Sequence, residues 1–172
     1  MTLLWSKNSK IGSHLIRLGT EGDCSHFAVC FDDVVVLQSN MHQGVNLTSL
    51  NEFKKHNTIV HEIRLNLPLE LEEAIWKPLV RRLAGNYSYD FKAVIYWTYE
   101  IIKRRLLGTT LPTSNRWSES NKYLCVEIAS ELPGFLFGNE KIEGLDIISP
   151  EALFRIIDLK TNSSPYRVKD VQ

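Results

Sequence analysis

Cys125 is the residue of this sequence with the clearest capacity for covalent chemistry. It lies in the run 123–132, in which Leu124, Ile128 and Leu132 recur at helical spacing and which a Pro-Gly pair ends. The pattern predicts a helix with Cys125 in its first turn, where unpaired backbone N–H groups and the helix dipole favour a thiolate. A nucleophilic thiol also needs a base from elsewhere in the chain. Without one, Cys125 is a small buried apolar residue, the reading that this stretch alone favours.

His26 is the strongest candidate for that base among the five histidines. It begins an apolar run, 27–31, that reads as a strand and would fix its position. A turn at 32–33 and a returning strand over 34–38 predict a hairpin that brings Gln38 beside His26. The Gln38 side-chain oxygen could then accept from one ring nitrogen and hold the tautomer that a base needs. Taken alone, the histidine is more often structural, and the glutamine is equally well a solvated amide.

The remaining pattern predicts an α+β fold, because helices and antiparallel strands are segregated along the chain. A helix over 11–18 is expected to turn Ile11, Leu15 and Leu18 inward, and 123–132 follows a long polar loop. The other predicted elements are a strand and helical turn over 45–53, a half-buried strand over 58–65, helices over 69–84 and 91–107, a turn at 87–90, an irregular or strand-like stretch over 135–148, and a short helix over 149–157. Pro78 should kink the helix that contains it or mark its first turn.

The predicted helix 91–107 is rich in aromatic residues, and its placement has two interpretations. In the first, Trp97 packs inward and the helix belongs to the core; in the second, its aromatic face lines an acyl-chain groove or meets a membrane surface. The basic run 103–105 fits a helix C-terminus, with a lipid phosphate as the weaker alternative. Asp90 is well placed as the N-cap, although with Tyr89 it could border a cleft.

Length and composition indicate one soluble globular domain, 1–172, with a polar and frayed tail from about 160. Twenty basic and twenty acidic side chains cancel, so no overall field favours nucleic acid or an anionic membrane. Three cysteines and no visible secretory leader suggest free thiols and synthesis in the cytoplasm. No metal-ligand spacing or integral membrane span is evident, so we expect no cofactor.

Several short segments occur together in a distinctive order. They are Ser25-His26-Phe27-Ala28-Val29, Val36-Leu37-Gln38-Ser39, Gly44-Val45, Tyr89-Asp90-Phe91 and Tyr123-Leu124-Cys125-Val126-Glu127. This order, with histidine first and cysteine last, resembles the circularly permuted branch of the NlpC-type, papain-like cysteine hydrolases. That branch includes YiiX-like proteins and relatives of lecithin:retinol acyltransferase. The resemblance covers nearly residues 6 to 157.

The resemblance implies a permuted papain-like fold with Cys125 as nucleophile, His26 as general base and then acid, and Gln38 as orienting residue. It also implies that Tyr89 and Tyr123 lie near the substrate. The expected activity is cleavage of an amide or peptide bond, such as one in a cell-wall peptide, through a thioester; a wall substrate would require delivery by a phage or a secretion system. Acyl transfer or ester cleavage on a lipid is one alternative. Because relatives commonly have Glu or His where this chain has Gln38, a catalytically weakened binding protein is another.

Overall fold

The computed structural model describes residues 1–85, 87–110, 112, 114–119, 121–137, 142, 144–145 and 148–168. Within these ranges the chain forms strands, α-helices and 3₁₀ helices, in an α+β arrangement. In chain order they are β1 (Thr2–Lys7), α1 (Ile11–Thr20), β2 (His26–Phe31), β3 (Val35–Asn40), β4 (Gly44–Ser49), α2 (Leu50–His56), β5 (Thr58–Arg64), α3 (Leu69–Leu83), β6 (Ser88–Tyr89), α4 (Phe91–Leu107), β7 (Lys122–Tyr123), two 3₁₀ helices (Val126–Glu131 and Gly134–Phe137) and α5 (Pro150–Thr161).

The main sheet is antiparallel, with strand order β4-β3-β2-β1-β5. The predicted hairpin is confirmed as β2 and β3. Asp32 and Asp33 form its turn with φ values of 51° and 50°, which match the right-handed twist of the two strands. Its register sets Ala28 opposite Gln38, so Gln38 lies two residues along the hairpin from His26.

The two faces of this sheet carry separate apolar clusters, because successive side chains of a β-strand point to opposite faces. Trp5, Phe27 and Leu37 belong to the larger cluster, which also contains residues from α3, α5 and the segment around Cys125. Ala28 belongs to the smaller cluster, where Phe53 of α2 packs. Neighbouring residues of β2 therefore face different layers.

Helices α4 and α5 begin at the caps that their sequences predict. Asp90 Oδ1 accepts from the Ala93 N–H at 2.9 Å, and Ser149 Oγ accepts from the Ala152 N–H at 3.1 Å. Helix α3 starts at Leu69 and continues through Pro78. None of the helices in the described ranges is both long and apolar enough to cross a membrane.

Helix α1 exists, but the predicted direction of its apolar stripe is wrong. Ile11, Leu15 and Leu18 are 79%, 55% and 68% exposed, whereas Ser13 is buried and shares a 2.6 Å hydrogen bond with Ser25 Oγ. A helical period identifies residues on a common face but does not say which face meets the protein. Here the small polar side of α1 contacts the domain.

The chain around residues 87–90 and the end of the protein also differ from expectation. Instead of a turn alone, Ser88–Tyr89 forms a short parallel pair with Lys122–Tyr123. Beyond α5 the chain is docked rather than frayed up to residue 168, because the Asn66 N–H donates to the Tyr166 carbonyl at 2.7 Å. In the predicted irregular stretch 135–148, a 3₁₀ helix ends at 137, and residues 138–141, 143 and 146–147 lie outside the described residues.

Candidate active site

His26 and Gln38 meet as the hairpin predicts. His26 Nε2 lies 3.0 Å from Gln38 Oε1. Gln38 Nε2 donates to Asn46 Oδ1 at 3.4 Å, and Asn46 Nδ2 donates to the Gly44 carbonyl at 2.9 Å. A backbone carbonyl can only accept, so this chain fixes the orientation of both amides and makes His26 Nε2 the donor. The lone pair of His26 Nδ1 is then left free to accept a proton.

Asn46 is the member of this chain that sequence reasoning missed. It stands directly opposite Gln38 in the β3–β4 register, so both side chains lie on the same face of the sheet. The alternating pattern of β4 could have indicated that Asn46 shares a face with Gln38. The two residues can be paired only when the length of the β3–β4 turn, and so the register of the two strands, is known. Asn46 positions Gln38, which in turn positions the imidazole.

Cys125 lies immediately before a 3₁₀ helix, Val126–Glu131, and not in the first turn of an α-helix. The Glu127 carboxylate accepts from the Leu124 N–H at 2.6 Å, and the Glu127 N–H donates to the Leu124 carbonyl at 3.2 Å. This reciprocal pair fixes the backbone on either side of Cys125. The cysteine is 7% exposed and belongs to the larger apolar cluster.

The environment of Cys125 favours the neutral thiol. Burial raises its pKa to about 11, and the negative charge of Glu127 adds to this effect. The backbone N–H groups of Phe27, Val126 and Cys125 itself act in the opposite direction and only partly offset burial. The activated, low-pKa thiolate expected for a helix N-terminus is therefore not the resting state.

The backbone next to His26 contacts Cys125, but the side chains of the two residues face different layers. The His26 ring stacks on Phe53 at a centroid distance of 6.1 Å, on the face of the smaller cluster, whereas Cys125 lies in the larger one. No hydrogen bond joins their side chains in the described part of the chain. Burial lowers the pKa of His26, and the Gln38 hydrogen bond partly opposes this. Both groups are therefore neutral at rest.

Two cavities meet at the wall between these residues. A polar cleft of about 620 Å³ is lined by His26, Gln38 and residues of α1 and α2. A small apolar cavity of about 40 Å³ is lined by Cys125 together with α4 and neighbouring residues. Three residues line both cavities: Ile16, Ser25 and Tyr89. Because these residues border both cavities, we call them the shared wall.

The two tyrosines expected near the substrate occupy different positions. Tyr89 lines both cavities, and burial raises the pKa of its hydroxyl. Tyr123 lines neither; its hydroxyl donates to Glu131 at 2.6 Å and its ring packs against Tyr87. Asp90 acts as the α4 cap and also accepts from the Glu119 N–H at 2.8 Å.

The other two cysteines are buried. Cys30 lies in the smaller cluster, and burial raises its pKa to about 11. Cys24 donates to Glu151 at 3.4 Å, and burial and that carboxylate raise its pKa. His61 lies 3.6 Å from the same carboxylate and stacks on Phe154. No cluster of three potential metal ligands occurs among the residues that the structure describes.

Comparison with family models, with curated proteins and with solved structures found no match to this chain. The case for function therefore depends on the geometry of the site and on the residue pattern.

Proposed function

We propose that this protein is a cysteine hydrolase that cleaves an amide or peptide bond through a thioester, with Cys125 as nucleophile. The observation that carries the proposal is the chain from the Gly44 carbonyl through Asn46 and Gln38 to His26, which leaves Nδ1 as a free base. A general base needs its imidazole held in one tautomer and orientation, which these hydrogen bonds supply.

The proposed reaction requires a local movement that brings the base to the thiol. The Phe27 N–H lies beside the Cys125 sulfur, and the nitrogen of this group is two bonds from the His26 Cα. A shift of the ring, or of the wall made by Ser25 and Tyr89, would bring Nδ1 to the sulfur. Catalytic hydrogen bonds often form only in the complex with substrate.

The reaction then proceeds in two halves. His26 Nδ1 takes the Cys125 thiol proton as the sulfur attacks the carbonyl carbon, and the developing oxyanion accepts from the N–H groups of Cys125 and Val126. The C–N bond breaks as His26 returns the proton to the leaving nitrogen. Water next attacks the thioester, with His26 taking its proton, and the carboxylic acid product leaves as the thiol is restored.

The two cavities favour a peptide-like substrate over a long acyl chain. The cleft beside His26 is large and rich in polar side chains, which suits a chain of amide groups. The cavity beside Cys125 is apolar but holds only about 40 Å³, enough for a small apolar group and not for a fatty chain. A short acyl ester is therefore the second candidate substrate, supported by the apolar lining.

Intact-mass spectrometry combined with chromogenic peptide anilides and short-chain nitrophenyl esters tests the proposal. We expect an acyl adduct on Cys125 and turnover that Cys125→Ala abolishes. His26→Ala should reduce the acylation rate by about 10²–10⁴-fold, the usual contribution of a general base.

Cys30→Ala is the matched control, because Cys30 is equally buried, has a pKa of about 11, and lies without a role in the proposed reaction. It should retain activity. An adduct that forms at the same rate in His26→Ala, or turnover that survives in Cys125→Ala, contradicts the assignment. A failure of all substrates to acylate the wild-type protein would instead favour a binding protein.

A further inference from the structure

Helix α4 presents an apolar stripe to solvent along its whole length. Five residues recur at intervals of four or three, which places them within one face of the helix. All five are between 45% and 77% exposed: Phe91, Ile95, Tyr99, Ile102 and Leu106. The opposite side of the helix, which includes Ala93 and Tyr96, is buried. A stripe of this length that faces water is unusual for a helix that already has a core-facing side.

Helix α1 adds a second stripe beside the first. Ile11, Leu15 and Leu18 are all more than half exposed. The helices contact each other, since Arg105 of α4 donates to the Leu18 carbonyl at 2.7 Å and Gly19 lies against Ile101. We call the two outward stripes together the α1–α4 face.

Basic side chains accompany this face. The segments 10–21 and 90–108 contain six basic and three acidic residues. Two of the acids, Asp90 and Glu100, are buried, and the third, Glu21, pairs with Arg105 at 3.0 Å. Glu100 also pairs with Lys103, and Glu119 of the following loop pairs with Lys92, so these helices carry a small excess of positive charge, although the protein as a whole is neutral. The basic residues are Lys10, Arg17, Lys92, Lys103 and Arg105, together with Arg104, which lies on the other side of α4 in line with Ala93 and Glu100.

We propose that the α1–α4 face docks on the surface of an anionic lipid bilayer, with both helices lying in the plane of the interface. Aliphatic and aromatic residues on one side of a helix, flanked by Lys and Arg, are the composition that binds such interfaces. Positive charge near the apolar stripe attracts the negative surface of anionic lipids. A second copy of this chain fits less well, because a symmetric contact would bring the basic rims together.

Docking of this face would place the polar cleft beside the membrane. Gly12, Ser13 and Ile16 of α1 line that cleft together with Lys10, the residue before the helix, while Ile11 and Leu15 of the same helix are exposed to solvent. Substrates held at or near the lipid surface would then reach His26 along α1. The docking itself does not depend on the proposed reaction, because it uses none of its residues.

Vesicle flotation tests the proposal with the full chain and two lipid compositions, phosphatidylcholine alone and phosphatidylcholine with about one third phosphatidylserine. We expect the wild-type protein to float with the second and not the first, and to dissociate as salt is raised. The double variant I95E/I102E should bind at least about tenfold more weakly, since it removes two apolar groups and adds like charge. K92Q, which removes a cation beside the stripe at a position 67% exposed, should also weaken binding and reduce its salt dependence.

Leu159→Glu is the matched control, because Leu159 is 77% exposed on α5, away from the face. It should bind like wild type. All four positions are solvent-facing, and circular dichroism with thermal melting verifies the fold of each variant. Absence of wild-type binding to anionic vesicles, or equal loss in Leu159→Glu, overturns the proposal. A wild-type dimer that I95E/I102E converts to a monomer, without any vesicle binding, would assign the face to self-association instead.

Discussion

The resting state of Cys125 can be tested by its rate of alkylation with iodoacetamide as a function of pH. Its pKa of about 11 results from burial that outweighs the nearby backbone N–H groups. At pH 7 the thiolate fraction is then about 10⁻⁴, against about 3 × 10⁻² for a free thiol of pKa 8.5. We therefore expect Cys125 to react about 300-fold or more slowly than an exposed cysteine at pH 7, with a rate that rises up to pH 11.

Site-resolved mass spectrometry measures this rate for each cysteine. A cysteine introduced by Leu159→Cys, at a position that is 77% exposed, supplies the internal standard. Because His26 does not hydrogen-bond the resting thiol, His26→Ala should change the Cys125 rate less than twofold, in contrast to its large effect on acylation by substrate. A Cys125 that titrates near or below 8.5, or whose rate falls strongly in His26→Ala, would refute the neutral resting pair and indicate a preformed ion pair.

Three further outcomes follow from the same contacts. Gln38→Leu should lower kcat about 10- to 100-fold with little change in KM, because the imidazole loses its orientation. Gln38→Glu should retain activity and shift the acidic limb of the pH profile upward, because the carboxylate raises the pKa of His26. Asp90→Ala should lower the free energy of unfolding by about 1–2 kcal/mol in urea titrations, because the cap of α4 is lost; Ser114→Ala, which changes a polar loop residue, is the control. Between pH 9 and 11 the unfolded chain ionises its thiol at Cys125 while the folded chain largely keeps the proton. The contribution of Cys125 to stability should therefore fall by roughly 2 kcal/mol over this range, and Cys125→Ala should flatten the dependence by that amount.

Local features of the fold were predictable because their causes are local. The aspartate pair at 32–33 tolerates positive φ, and the apolar runs on either side of it have strand character, so the β2–β3 hairpin follows. Asp90 and Ser149 accept from backbone N–H groups three residues ahead, which is a property of the cap and the first turn alone.

The candidate site was predictable in part for the same reason. The hairpin brings Gln38 to His26, but Asn46 comes from the next strand and depends on a second register. The relation of Cys125 to His26 was not predictable, because they are 99 positions apart and their side chains belong to layers on opposite faces of the sheet. The spacing of residues in the sequence does not indicate on which face of the sheet the segment around Cys125 packs.

The α+β class, most helix and strand bounds, the turn and the caps follow from the amino-acid sequence, because they depend on the propensities and hydrogen bonds of residues near one another. Long-range packing sets the exposure of the α1 stripe, the 3₁₀ helix after Cys125 and the burial that raises the pKa of this cysteine. Each of these depends on which surfaces pack together. An apolar stripe can bury itself in the domain or remain exposed for a partner, and a thiol beside N–H groups ionises easily only where water or a cation can reach it.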